Sequence, residues 1–414
     1  MLPKNYIEES IKASPVNIDL VWQEATRLAS KAGSHAIEPV HIVTALILTC
    51  PSMDIILKQM KLQKSDVEEV SDWFDRLIAT TRSEKPYFGG IGRDWAFGFT
   101  NQLNRLGYNI SQGIENGGGY FSWLTNSPGV EAMTKVFSSG STAIALVGND
   151  GVGKTSHVYA LAQALLEGGH GDKSLDSYQV VELKASSILS NAKDPAHIEN
   201  MIISLISEAS HSGHIILFLD DAQQFFSQGV GRLDITQILL QVVQSKSIRL
   251  ILAFNTHDFQ AIKSTHSALA TQLSPVVLNE PNEVDTIRIL EDTAIGLEHK
   301  NNVVISHDAL KTAYNLSGRY EQELAYPGKA IQLVSQAVSY AQDGIVSAAS
   351  VQGAIEKTHG VKVGTASTVE ASDLLNLEAK IHERMVNQDR AVGVVSNALR
   401  RARAGRGRRS TTLW

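Results

Sequence analysis

The sequence of 414 residues lacks most features of secreted, membrane-spanning and nucleic-acid-binding proteins. Its single cysteine, Cys50, excludes a disulfide framework and is typical of a reducing compartment. No uninterrupted apolar run is long enough to cross a bilayer. Acidic residues outnumber basic ones, 43 to 37, and the net charge of -6 argues against a dedicated nucleic-acid binder. We therefore expect a cytoplasmic protein with neither a membrane nor a nucleic acid as its partner.

What the sequence does contain is a phosphate-binding loop. The apolar residues 143–147 predict a strand, the motif Gly-Asn-Asp-Gly-Val-Gly-Lys-Thr follows, and a helix-prone stretch comes next. In such a loop the backbone amides hold phosphates, the lysine reaches the terminal phosphates, and the threonine hydroxyl binds Mg²⁺. The predicted nucleotide-binding residues are Gly148, Asn149, Asp150, Gly151, Val152, Gly153, Lys154, Thr155 and Ser156.

A second motif follows the loop in the expected order. Residues 215–219 are apolar and predict a buried strand, which ends at Asp220 and Asp221. We predict that Asp220 holds Mg²⁺ together with Thr155, and that Asp221 polarises the attacking water. A glycine-rich turn beside an unrelated acidic strand end is the alternative, and the occurrence of both motifs in order disfavours it.

The pattern of apolar residues predicts an α/β fold with helical additions. Residues 16–78 have helical periodicity, whereas 80–119 are rich in Gly, Ser and Asn and are typical of a linker. Short apolar strands at 143–147, 180–183, 215–219 and 250–254 alternate with helical stretches. This alternation predicts a mostly parallel sheet with helices on both faces. From residue 282 onward the pattern is helical.

This order of motifs resembles the AAA+ ATPases of the Clp family, which are ring-forming protein unfoldases and disaggregases. Residues 25–29 and 37–42 are similar to one helical repeat of the Clp N-terminal domain, which normally has two. Residues 280–290, 316–320 and 326–331 are similar to the helical lid subdomain that closes over the nucleotide. Residues 377–405 resemble the lead-in to a second ATPase module. Because the chain stops at Trp414, before a second phosphate loop, we expect that module to be missing.

The resemblance implies a domain order and a set of partners. A single-repeat Clp N-like domain is expected at 1–80, a linker at 81–125, the α/β nucleotide-binding subdomain at 126–280, the helical lid at 281–362, and the start of the junction to the missing module at 363–414. The family implies ATP and Mg²⁺ as ligands, protein substrates, and a homo-oligomeric ring, expected to be a hexamer. Residues 341–377 leave no room for the coiled-coil insertion of the disaggregase branch, so a protease partner is also expected.

Several positions depart from the pattern of an active Clp module. Asp221 stands where the family has glutamate, and Thr271 and Gln272 stand where it has two adjacent arginines that reach the neighbouring subunit's nucleotide. Lys193 replaces the aromatic residue of the central-pore loop. We therefore predict weak ATP hydrolysis and doubtful substrate grip, so that this module would serve mainly for nucleotide binding and ring assembly.

Two further residues are assigned through the resemblance. Asn255, at the end of the strand 250–254, is predicted to sense the terminal phosphate, and Lys329 is predicted to approach the nucleotide from the lid. Two rival functions remain open. One is a non-hydrolysing regulatory or scaffold protein, which the missing arginines favour. The other is a clamp-loader-like or signalling ATPase, which the Clp-like N-terminal repeat disfavours.

Overall fold

The computed structural model describes residues 17–34, 36–59, 62–82, 100–116, 122–125, 127–168, 175, 177–191, 195–226, 235–360, 376–382 and 388–403. The chain divides into two compact units, one within residues 1–295 and 321–331, the other within 296–320 and 332–414. No single helix among the described residues has the length and apolar composition to cross a membrane, although the bent pair Pro39–Thr49 and Pro51–Lys58 passes that test by length and composition.

The described part of the N-terminal region, from residue 17 to residue 82, contains the helices Ile18–Lys31, Pro39–Thr49, Pro51–Gln59 and Lys64–Arg82. Val21, Ala25 and Leu28 recur at helical spacing along the first helix and pack on Ala45 of the second. The fully buried His41 fastens the second helix, because its Nδ1 accepts the Glu38 amide while its Nε2 lies 2.8 Å from the Asp75 carboxylate. The predicted helical character of this region is confirmed.

The predicted linker over 81–125 is wrong for residues 100–116 and 122–125. They form the helices Asn101–Leu106, Ile110–Glu115 and Ser122–Thr125 and the short strand β1, Tyr108–Asn109. Strand β1 pairs antiparallel with β3, Gln179–Lys184, while Leu103 and Ile110 are completely buried. Gly107 and Asn116 end two of these short helices, whereas Asn104 and Gly113 lie inside them. The amino-acid composition alone therefore cannot distinguish this segment from a linker.

The first unit contains four further strands: β2 at Ala143–Val147, β4 at Ile215–Asp220, β5 at Arg249–Phe254 and β6 at Ser274–Val277. Together with β1 and β3 they form a six-stranded sheet in the order β1-β3-β4-β5-β2-β6. All neighbouring pairs are parallel except β1 with β3. The predicted parallel sheet flanked by helices is confirmed, and the carboxyl ends of β2, β4 and β5 meet at one edge, where ligands bind in such folds.

Helices cover both faces of this sheet, so every central strand is buried on both sides. Alternate residues of β2 enter opposite cores: Ala143 and Ala145 belong to one, Ile144 and Leu146 to the other. The helices and 3₁₀ turn that accompany the sheet are Pro128–Ser138, Lys154–Glu167, Ala185–Asn191, Pro195–Ser212, Ala222–Phe225, Thr236–Ser245, Thr256–Thr265 and Ser267–Ala270.

The second unit is mainly helical. The helix Glu283–Asn301 begins in the first unit and ends in the second, and Gly328–Ala337 does the same. The other elements are His307–Tyr320, the 3₁₀ turn Val338–Tyr340, Ala348–His359, Leu377–His382 and Asp389–Arg403. Two short strands, Val304–Ile305 and Ile345–Val346, pair in parallel, so the expectation of an all-helical stretch after residue 282 is wrong at this point.

Candidate nucleotide-binding site

The phosphate loop connects β2 to the helix Lys154–Glu167 and depends on glycine at three positions. Gly151 and Gly153 have φ of +88° and +89°, a region that side chains other than glycine rarely adopt. A Cβ on Gly148 would lie 2.8 Å from Cγ1 of Val152. The loop therefore brings its backbone close to the start of the helix, whose free amides and dipole favour an anion.

The side chain of Lys154 contacts the backbone of the phosphate loop. Its Nζ donates to the carbonyl oxygens of Gly148 at 2.8 Å and Asn149 at 3.3 Å, and lies 3.2 Å from Oδ1 of Asp150. The lysine side chain is only 10% exposed, so its charge sits in a partly desolvated pocket where an anion is attracted more strongly than in bulk water. In phosphate loops of this pattern the lysine ammonium contacts the terminal phosphates.

Thr155 and Asp220 meet at the carboxyl edge of the sheet. The Thr155 hydroxyl donates to Oδ2 of Asp220 at 3.1 Å, and the backbone amide of Asp221 donates to Oδ1. Burial raises the pKa of Asp220 above its usual range, the hydrogen bond from Thr155 opposes that shift, and the neighbouring charge of Asp221 adds to it. A hydroxyl and a carboxylate at this spacing are oxygen donors suited to Mg²⁺, so the residues present fit the predicted ion.

Asp221 immediately precedes the 3₁₀ turn Ala222–Phe225 and has a φ of +47°. Aspartate tolerates this left-handed conformation better than most residues, because its short polar side chain can bond locally. The residue lines the same cavity as Asp220 and the phosphate loop. Its side chain is one methylene shorter than the expected glutamate, so its carboxylate reaches less far from the strand end.

A cavity of about 1470 Å³ in the first unit joins these groups. Its lining includes the phosphate loop, Thr155, Asp220 and Asp221, which are polar. The same lining also has apolar residues, among them Pro128, Ala132, Val136, Val276, Leu278 and Ile331. A nucleoside triphosphate requires both charged and apolar groups, and the volume is sufficient for one.

Asn255 is not among the residues that line this cavity. Its Oδ1 accepts the Asp258 amide at 2.8 Å, so the side chain caps the helix Thr256–Thr265. The next residue, Thr256, makes the contact with the phosphate loop by donating to Oδ1 of Asn149 at 2.9 Å. Thr256 could not be preferred from the sequence, because a capping asparagine and a phosphate-sensing asparagine occupy the same position after a strand.

Lys329 lies near the loop and is held by local contacts. Its Nζ is 3.7 Å from the Glu280 carboxylate and 3.8 Å from the ring centroid of Tyr326. The turn before it contacts the loop directly, since the amides of Ala325 and Gly328 donate to the carbonyls of Asp150 at 2.7 Å and Gly151 at 2.9 Å. Gly328 lines the cavity, whereas the lysine side chain does not.

Two residues that the motifs did not single out belong to the surroundings of the site. His157, on the helix that begins at Lys154, lines the cavity. Glu182, on β3, is buried beside Lys184, and its pKa is raised mainly by that burial. No motif spacing identifies either residue, because both are brought close by the packing of the sheet and the helix.

Thr271 and Gln272, which are predicted to replace the paired arginines, are exposed at the end of the helix Ser267–Ala270. The Thr271 hydroxyl donates to the Ala268 carbonyl at 2.9 Å. Lys193, assigned to the pore loop, lies outside the described residues.

Two family models match the chain. The model of the ATPase family associated with various cellular activities (AAA) matches residues 144–274, and the AAA lid domain matches 282–381. The ATP-binding subunit ClpC of the ATP-dependent Clp protease of Staphylococcus aureus (strain USA300) is 25% identical, over 63% of this chain. The corresponding subunit ClpE of Bacillus subtilis (strain 168) is 27% identical, over the same share.

The chain is a homologue of the Clp ATPases. It carries the AAA domain and the lid of that family, and the resemblance predicted from its motifs is confirmed. The match spans 40% of the length of ClpC and 45% of ClpE, so this Clp homologue corresponds to less than half of those relatives.

Solved structures of similar fold include Hsp104 with ATPyS and FITC casein, with a TM-score of 0.61 and 21% identity, covering 74% of this chain and 55% of Hsp104. The S. cerevisiae Hsp104-ADP complex has a TM-score of 0.59 and 22% identity, with coverage of 73% and 53%. These neighbours support the predicted AAA+ fold with its lid.

Proposed function

We propose that this Clp homologue binds ATP with Mg²⁺ in the cavity at the carboxyl edge of the sheet. The observation that carries the proposal is that the phosphate loop, the Lys154 ammonium and the Thr155–Asp220 pair all belong to the lining of that cavity. Loop amides and Lys154 bind the phosphates, and Thr155 and Asp220 hold Mg²⁺. When bound, the ion neutralises charge on the phosphate oxygens.

The same geometry supports slow hydrolysis rather than rapid turnover. Asp221 is the group available to orient the attacking water, and its carboxylate is one methylene further from that water than a glutamate carboxylate. The cost of such a displacement is large, since water positioning is steep in distance. Thr271 and Gln272 carry no charge that would stabilise the transferring phosphoryl group of a neighbouring subunit, and that contribution is worth roughly a thousandfold or more in rate.

Beyond nucleotide binding, we propose that the chain acts as a subunit of an oligomeric ring, hexameric as expected from the family, that remodels or unfolds protein substrates in the cytoplasm. The support is homology to ClpC and ClpE, both named as ATP-binding subunits of an ATP-dependent protease. A protease partner is part of the proposal for the same reason. In the ring, this module chiefly binds nucleotide and assembles.

A non-hydrolysing scaffold is the second candidate function. The exposed Thr271 and Gln272 favour it, because a subunit that supplies no arginine to its neighbour still gains stability from bound nucleotide. The two candidates differ in turnover and agree on ATP binding.

Equilibrium binding of ATP, with and without Mg²⁺, tests the shared claim. Lys154→Ala is expected to weaken binding by about 2 kcal/mol or more, because it removes a charge-assisted contact from a desolvated pocket. Lys263→Ala is the matched control, since that lysine lies on the helix Thr256–Thr265 and lies over the ring of Phe259. Equal ATP affinity of wild type and Lys154→Ala would contradict the assignment of this cavity.

A further inference from the structure

His157 has a fixed orientation on the phosphate-loop helix. Its Nδ1 lies 2.8 Å from the carbonyl oxygen of Gly153, one turn earlier. A carbonyl oxygen only accepts hydrogen bonds, so Nδ1 must carry the proton of that contact. In the neutral ring, Nε2 is then left as an acceptor with an unprotonated lone pair.

The edge of the ring that carries Nε2 faces Gly129, and the absence of a side chain on this glycine leaves space for the imidazole. A Cβ on Gly129 would lie 2.7 Å from Cδ2 and 3.2 Å from Nε2 of His157, and 2.6 Å from Cδ2 of Leu278. All three residues line the cavity. Within the described part of the chain, Nε2 has no hydrogen-bond partner of its own. Because Nδ1 donates its proton to the Gly153 carbonyl, Nε2 is the ring nitrogen available as an acceptor in the neutral imidazole.

The surroundings of His157 suit a base rather than a phosphate. Pro128, Ala132, Val136, Val276 and Leu278 supply apolar lining to the same cavity. A flat heteroaromatic ring buried there needs partners for its polar edge, since an unpaired polar group in such a place is costly. His157 belongs to this lining, and among the described residues no group uses its Nε2 as an acceptor.

We propose that Nε2 of His157 accepts a hydrogen bond from the 6-amino group of the purine, and thereby selects adenine over 6-oxo purine nucleotides. The inference rests on the proposed nucleotide binding and adds its base specificity. An adenine amino group donates to Nε2, whereas the O6 of hypoxanthine or guanine is an acceptor and would face another acceptor. The site rejects the 6-oxo base because Nε2 and O6 both lose their hydrogen bonds to water without gaining a new one.

Calorimetric titration of the full chain with ATP and with inosine triphosphate, both with Mg²⁺, tests the proposal. The two ligands share the triphosphate and the ribose and differ at the purine 6-position. Wild type is expected to bind ATP about tenfold or more tightly, which corresponds to one hydrogen bond. His157→Phe keeps a flat ring against Gly129 and is expected to weaken ATP binding while leaving inosine triphosphate nearly unchanged, so that the ratio approaches one.

The exposed His299→Phe is the matched control and should retain the wild-type ratio. A purely structural role of His157 would weaken both nucleotides equally, and an unchanged ratio in His157→Phe overturns the proposal. Should that variant fail to fold, His157→Gln replaces it: its amide both donates and accepts, so a ratio near one is again expected, and a wild-type ratio again overturns the proposal. Equal binding of the two nucleotides by wild type refutes base selection alone. Binding of neither by wild type refutes the proposed function as well.

Discussion

At the scale of single residues, Gly151 shows why the phosphate loop cannot vary. Its φ of +88° disfavours any side chain, and a Cβ there would lie 2.9 Å from the carbonyl oxygen of Ala325. Gly140 provides a matched comparison, because it has φ of +87° and nothing within 4 Å of its ideal Cβ. The two glycines therefore share the backbone strain and differ in the contact with the turn that packs on the loop.

We expect Gly151→Ala to lower ATP affinity by at least tenfold, because relief of the clash moves the loop away from its phosphate-binding shape. Gly140→Ala should cost about 1 kcal/mol of stability from strain alone and leave ATP affinity unchanged. Binding titrations and thermal unfolding of both variants check this. Equal ATP affinities of the two variants would show that the contact between Gly151 and Ala325 is not needed for binding.

Glu182 gives a prediction for pH. Burial raises its pKa, so the folded protein holds this proton more tightly than the unfolded chain. The stabilisation from the bound proton is present at low pH and is lost as pH rises through the raised pKa. The Glu182→Gln variant cannot lose this proton. Its free energy of unfolding, relative to that of wild type, should therefore increase between pH 4 and pH 8. Thermal unfolding across this range measures it, with the exposed Glu131→Gln as the control.

Residues of the site could be predicted from the sequence where a motif specifies their chemistry, and could not be predicted where only the packing of the fold brings them together. The loop glycines, Lys154 and Thr155 follow from the spacing of the motif, because a strand, a turn and a helix arrange them. Asp220 follows from its position at the end of a separate apolar strand, β4. His157 and Thr256 carry no such spacing. Their contacts with Gly153 and Asn149 depend on a side-chain rotamer and on the neighbouring strand, which a linear pattern does not contain.

At the scale of elements, the segment 100–116 shows how composition misleads. The helix Asn101–Leu106 is too short to display a helical period, and its first amides are satisfied from a distant helix. The Glu208 carboxylate accepts the amides of Gln102 and Leu103 at 2.9 to 3.1 Å, although more than a hundred residues separate them. The strands β2 and β5 were predictable although they are short, because each is a nearly continuous apolar run whose own sequence specifies burial.

If this segment is part of the folded unit, Leu103→Ala should destabilise the protein by about 2 to 4 kcal/mol, because Leu103 is fully buried in the same core as Ala143 and Ala145 of β2. Ile203→Ala, at a position 49% exposed on the neighbouring helix, should cost less than about 1 kcal/mol. Thermal unfolding and limited proteolysis near residue 100 distinguish the two variants. An effect of Leu103→Ala as small as that of Ile203→Ala would mean that the segment does not contribute to the core.

At the scale of the whole molecule, oligomerisation and hydrolysis are linked through Thr271 and Gln272. Both side chains are exposed, so arginines placed there point to solvent in an isolated chain and become useful only beside a neighbour. We expect Thr271→Arg with Gln272→Arg to raise turnover per chain at protein concentrations where the chain assembles, and to leave it unchanged under dilution.

Specific activity measured against protein concentration, with molecular mass followed by light scattering, checks that link. Gln260→Arg with Ser264→Arg adds the same charge at other exposed positions and should change nothing. A gain that is independent of protein concentration would contradict an arrangement in which one subunit acts on the nucleotide of the next.

The measurement that tests the account most directly compares bound ATP with turnover on the same sample. Lys154, Thr155 and Asp220 predict about one ATP·Mg²⁺ bound per chain at saturation. Asp221 and the uncharged Thr271 and Gln272 predict turnover of about 10⁻³ per second or slower, the order of magnitude of a nucleotide hydrolase without an arginine contribution. Saturable binding with such slow turnover supports the account. Turnover on the order of 1 per second that Asp221→Ala abolishes would contradict it, as would ATP binding that survives Lys154→Ala.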